Sequence, residues 1–125
     1  MPDAEGIREI AYFDCRGGGQ VVVDGTTAYV GHTTGPEATT IIDVEDPANP
    51  RQLAQIECNH EGVHAHKVRV QDGLMLTNYE SKAYAGTPDE GFRGGLNITD
   101  VSDPAHPKHI HFWPCDKSGV HRFTY

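Results

Sequence analysis

The sequence predicts an all-β fold, a partial β-propeller made of two four-stranded antiparallel blades plus an N-terminal outer strand. Three observations carry this reading. One phrase occurs three times, at 8–15, 51–58 and 108–115, and sets Cys15, Cys58 and Cys115 in a single register. A second phrase, Ile42-Asp43-Val44-Glu45-Asp46-Pro47-Ala48-Asn49-Pro50, returns as Thr99-Asp100-Val101-Ser102-Asp103-Pro104-Ala105-His106-Pro107, each time just ahead of the first. The copies start 43 and then 57 residues apart. A period of roughly 40 to 50 residues built from short strands is that of propeller blades, sheets that cannot bury their own faces alone.

The elements follow in order. Residues 7–14 form an outer strand with no other strands of their own unit; in a ring-closed propeller such a strand completes the last blade. Blade one covers 15–58, with strands at 20–23, 27–31, 39–44 and 51–57. Blade two covers 59–115, with strands at 66–70, 74–79, 95–101 and 108–113. Residues 116–125 begin a third blade. The chain is therefore expected to be the N-terminal part of a longer propeller that is truncated, split between chains or completed by assembly. Asp24-Gly25 and Gln71-Asp72-Gly73 are hairpin turns in which glycine supplies positive φ. Asp-Pro-x-x-Pro ends the third strand of each blade, because proline lacks the amide donor of a strand ladder. Asp46 and Asp103 there act as turn formers, their side-chain oxygens facing nearby amides. No helix, linker or low-complexity tract divides the chain.

At 125 residues with 37% hydrophobic content, this is ordinary material for one domain. Closed propellers need about four to eight blades, so two leave apolar faces and a strand edge exposed. That predicts an oligomer or a larger propeller, with a small molecule or a protein as partner. The net charge of −8 repels phosphate and anionic lipid, which argues against nucleic acid and membrane partners. No apolar run approaches the roughly 18 residues of a membrane span. The N-terminus lacks the basic start and apolar stretch of a secretory signal, so the expected location is cytoplasmic, unless a leader has been lost. Three cysteines at matching depths read as reduced thiols closing the outer strands.

The two phrases 40–50 and 96–107, each a β-rich strand followed by Asp-Val-x-Asp-Pro and a second proline, resemble the LVIVD repeat family. The resemblance extends over both blades, and it implies a propeller. It carries little about activity. The long segment 80–94 and the low blade number depart from the pattern.

Propeller topology places the loops that enter each inner strand, and those between second and third strands, on one face. Two of the entering loops deliver His64 and His121 at what reads as the same place, the start of an inner strand beside the central channel. Arg16 is the blade-one counterpart, followed by Gly17-Gly18-Gly19. His64 and His66, spaced i, i+2 within one strand, point the same way and can meet one ion, with His121 as a third ligand. Three imidazoles with an open position suit Zn, Cu or Fe, and Glu61 is placed to orient a ring or handle a proton as a catalytic residue. The insertion 80–94 overhangs this face, where Tyr84, Phe92 and Arg93 are expected to cover an apolar or anionic small molecule. His109 and His111 share a side of the outer strand by the same spacing, and with His106 read as a solvated edge. The preferred function is a propeller scaffold or binding module with a histidine-lined site; the alternative is a metal-dependent oxidoreductase that uses the histidine cluster.

Overall fold

The computed structural model describes residues 5–58, 60–83 and 86–125. Nine strands and no helix occur among them: β1 (Gly18–Asp24), β2 (Thr27–His32), β3 (Glu37–Asp43), β4 (Arg51–Glu57), β5 (Val63–His64), β6 (Val68–Gln71), β7 (Leu74–Ser81), β8 (Gly94–Asp100) and β9 (Lys108–Cys115). The first sheet has the order β1-β2-β3-β4; the second has β5-β7-β8-β9, with β6 also on β7. Every pairing is antiparallel. The protein is thus all-β, with two sheets that close no ring. No helix here is long and apolar enough to cross a membrane.

The internal repeat is visible in hydrogen bonds. Thr27 pairs with Asp43, and Leu74 with Asp100. Beyond the strand ends, Val44 N–H donates to the Thr26 carbonyl at 2.9 Å and Val101 N–H to that of Gly73 at 2.8 Å. In the Asp-Pro turns, Asp46 Oδ1 accepts from Ala48 N–H and Asp103 Oδ1 from Ala105 N–H, as expected of turn formers. The β6–β7 turn has φ of 51° at Asp72 and 78° at Gly73. Two successive positive values are those of a type I′ hairpin, whose twist matches the flanking strands.

Four sequence expectations change. Residues 7–14 are not a strand; the last blade they were expected to complete is not one of these two sheets. Phe13 and Cys15 nevertheless pack on Ala28, Val30 and Ile42 of the first sheet. Residues 116–125 form only an isolated bridge, Glu80 with Gly119. The inner strand expected at 66–70 is split into β5 and β6, since Ala65 N–H turns away to the His32 carbonyl of the first sheet and the His66 carbonyl accepts from Gln20 N–H. Lastly, the β8–β9 register shifts between Ile98 and Thr99, so that Ile98 pairs with His111 but Thr99 with His109. Paired residues share a face and neighbours on β8 do not, so this bulge puts His109 and His111 on opposite sides. The same shift occurs between Ile41 and Ile42 on β3.

The main core lies between the sheets. Tyr29 and Ile41 of the first meet Val68, Met75 and Val101 at the second, with Leu53, Ala54 and Ile56 around them. Ile41 and Met75 have no exposed surface. Ile41→Ala is expected to lower unfolding free energy by about 2–5 kcal/mol, the range for emptying such a position. Urea denaturation followed by circular dichroism checks this.

Candidate functional site

The site is built where the inner ends of the strands converge. His64 ends β5 directly opposite Glu80 of β7, and side chains opposite one another on an antiparallel pair share a face about 4.5–5.5 Å apart. His66 follows in the break between β5 and β6, and its ring centroid lies 3.9 Å from that of His64. One ligand atom from each of His64, His66 and Glu80 lies within 4.8 Å of the other two. Two imidazoles and a carboxylate at this spacing are a donor set for a divalent transition metal.

Protonation favours that use. A carbonyl only accepts, so His64 Nδ1 donates to the Thr33 oxygen at 2.5 Å and the ring's lone pair sits on Nε2. His66 Nδ1 is buried without a hydrogen-bond partner among the described residues. Burial first, then the neighbouring His64, Lys67, His121 and Arg122, lowers the His66 pKa to about 4. His66 is therefore neutral at physiological pH, as a metal ligand must be. Glu80 Oε2 accepts from His121 Nδ1 at 2.8 Å, and the Glu80 side chain is buried while that of His121 is half exposed.

The expected residues distribute over several places. His64, His66 and His121 do come together, the His121 ring lying 5.3 Å from that of His66. His121 sits beside the three-donor group and bonds to its carboxylate. Its repeat counterpart is also different from the expected one. Ala65 N–H donates to the His32 carbonyl and Val120 N–H to that of Tyr79, and strand pairing makes His32 and Tyr79 equivalent, so His121 corresponds to His66 and not to His64. The Gly-Val-His match is out of step because the loop ahead of it is shorter in the second instance. Likewise Gly17, rather than Arg16, stands where His64 stands: Thr33 N–H donates to Gly17 O, at the position of the His64–Glu80 pair.

Glu61 is exposed in the turn ahead of β5 and is not in the donor group. The carboxylate that sequence reasoning missed is Glu80. A signal for it exists: counting outward from the Asp72-Gly73 turn sets Glu80 opposite residue 65, one position from His64, and the strand break accounts for the difference. Arg16 is exposed and lines a small pocket with Cys15 and His32. Phe92 packs edge-on to His60 at 6.3 Å. Arg93 lies over the Phe112 ring, 5.5 Å from its centroid, and both line a separate cavity between the sheets. Tyr84 lies outside the described residues. Cys58 is buried, with its thiol donating to Pro36 O, whereas Cys115 is exposed, so matching depth fails where no further sheet covers the thiol.

A family model for the LVIVD repeat matches residues 91–111, from the end of the insertion through β8 into β9. The chain carries an LVIVD repeat, a unit associated with β-propellers. Neither the curated proteins nor the solved structures compared with this chain gave a match.

The depressed His66 pKa has a sign. The unfolded chain takes up this proton below its ordinary value of 6.5, the folded chain only near 4, so the contribution to stability is present above 6.5 and is lost as pH falls through that window. His66→Gln removes this dependence. Comparing urea midpoints of the two proteins across the window should show the parent losing more stability than the variant.

Proposed function

We propose that this chain is a propeller-type scaffold that holds a divalent transition metal on His64, His66 and Glu80. The observation that carries the reading is the donor group itself, three ligand atoms within 4.8 Å of one another, one contributed by His66, a ring whose buried Nδ1 has no hydrogen-bond partner among the described residues. An uncompensated buried polar atom costs about 1–3 kcal/mol, a cost that coordination through Nδ1 removes. The His64 tautomer is set by Thr33, and Glu80 is oriented by His121, the kind of outer support that ligands commonly receive. With three protein donors, coordination positions remain for a small molecule or water. Zn(II) and Fe(II) both suit two histidines and one carboxylate.

That open coordination also favours a second reading, a metal-dependent oxidoreductase in which Fe or Cu occupies the same group. The metal would supply the redox chemistry; His64, His66 and Glu80 would hold it, and His121 would relay or retain a proton at Glu80 Oε2. Copper or iron bound in preference to zinc, with turnover of a reductant under air, separates this reading from a scaffold role.

The sheet faces on either side of the intersheet core are proposed to be covered by further blades, in the same protein or in an assembled copy. Trp113 is 58% exposed and Val23 60%, and they lie on faces that neither sheet covers. Sedimentation at micromolar concentration should show species larger than one chain; a stable monomer would count against assembly.

The metal reading is tested by titrating the chelator-stripped protein with Co(II), whose d–d spectrum reports ligand number, and by calorimetry with Zn(II). One ion should bind per chain. His64→Ala and Glu80→Gln should abolish binding, and His121→Ala should weaken it about ten-fold as an outer partner. No binding at submillimolar metal, or binding unchanged in the His64 and Glu80 variants, would refute it.

A further inference from the structure

A cavity of about 580 Å³ opens between the two sheets, away from the donor group, and falls within the roughly 300–1,000 Å³ usual for small-molecule sites. It has a counterpart of about 180 Å³ on the first sheet. The two match by repeat position. Cys15, His32, Thr40 and Gln52 at the small one correspond to Cys58, Tyr79, Asn97 and His109 at the large one. The difference between the two is informative.

On the first sheet this face carries Val30 and Ile42 in a hydrophobic cluster, beside the polar His32 and Thr40. Their counterparts on the second sheet are Thr77 and Thr99, and Asn97 stands beside them where the first sheet has Thr40. All three are buried. Thr77 is used within the core, bonding to Thr39 at 3.4 Å. Asn97 and Thr99 line the cavity and bond to each other through Asn97 Nδ2 and Thr99 Oγ1, while Asn97 Oδ1 accepts no bond among the described residues. A polar floor in a cavity, where the first sheet has valine and isoleucine, suits a ligand with a polar edge. Ile56 of the first sheet and Val63, Tyr79 and Phe112 of the second give it apolar walls, while Gln55, Glu57 and His109 add polar lining. The Tyr79 and Phe112 rings stand 5.5 Å apart at 49°.

A cation stands at the mouth. Arg93 comes from the insertion, which the first repeat lacks, and it has no carboxylate partner among the described residues. Burial, with Cys58 adding to it, raises the Tyr79 pKa, so its hydroxyl remains a donor at all ordinary pH. His60 is not available to a ligand. Its Nδ1 accepts from Gly62 N–H and its Nε2–H donates to Glu90 O at 2.8 Å, which pins the insertion against the turn before β5 and fixes where Arg93 stands.

We infer that this intersheet cavity binds a small aromatic carboxylate, its ring between Tyr79 and Ile56, its carboxylate toward Arg93, and its polar edge toward Asn97 and Thr99. Selectivity for an anion is diagnostic here, because the chain's charge of −8 favours cations in any nonspecific association.

The probe is 2-naphthoate, titrated by calorimetry and by its own fluorescence, with 2-naphthylmethanol as the neutral and 2-naphthylmethylammonium as the cationic control. Saturable binding of naphthoate, tighter than either control, is expected. Arg93→Gln should weaken naphthoate about ten-fold, the size of one charge-assisted hydrogen bond at a partly exposed position, and leave the neutral control unchanged. Thr99→Ile, which copies Ile42 of the first sheet, should fill the floor and abolish binding of both while the protein stays folded. His64→Ala should leave naphthoate binding intact, which keeps this site separate from the metal group. Absence of saturable binding at millimolar naphthoate, equal affinity for the cation, or an unaltered affinity in Arg93→Gln would overturn the inference.

Discussion

The structure depends on one apolar seam, the contact of Tyr29 and Ile41 with Val68, Met75 and Val101. A sheet of four short strands has two faces and no interior, so each sheet here is stable only because the other covers it. The seam also sets the chemistry. By drawing the sheets together it brings Gln20 against the second inner strand, where the Gln20 side-chain oxygen accepts from both Val68 N–H and Arg69. Those bonds, with Ala65 to His32, interrupt the strand at 65–67 and turn His66 toward His64. The imidazole cluster is thus a consequence of intersheet packing and not of strand periodicity alone.

Much of the fold was legible because its signals are local. The Asp-Val-x-Asp-Pro phrases ended β3 and β8, and Asp72-Gly73 marked a hairpin, since a proline without a donor and a glycine at positive φ act within a few residues of themselves. What stayed hidden was register. The bulge opposite Ile98 and Thr99 costs β9 one residue and sends His109 and His111 to opposite faces, and no composition cue marks it. The break at 65–67 likewise shifts Glu80 onto His64. In a repeat protein a one-residue slip moves a side chain to the other face of the sheet. That is why histidines were found readily by type, whereas their carboxylate, and the true counterpart of His121, needed coordinates.

The insertion 80–94 serves both candidate sites, by different means. At its start, Glu80 faces His64 and takes a bond from His121. Near its end, Arg93 reaches the ring of Phe112 at the intersheet cavity. Between them, Glu90 is held by His60, a residue whose two ring nitrogens are both spent on backbone groups. A histidine with both nitrogens so committed is a strut, and this one fixes the spacing of the two ends of the loop relative to the turn before β5.

Gly19 occupies on the first inner strand the place that His66 occupies on the second, and a Cβ there would lie 2.8 Å from the Cβ of His66. Of the three equivalent positions, Gly19, His66 and His121, the first leaves no room for a side chain beside His66, whose ring lies 5.3 Å from that of His121. The copies have ceased to be interchangeable. The first unit supplies the bare backbone that lets the second unit's imidazole stand where it does, so the two units are complementary and not redundant.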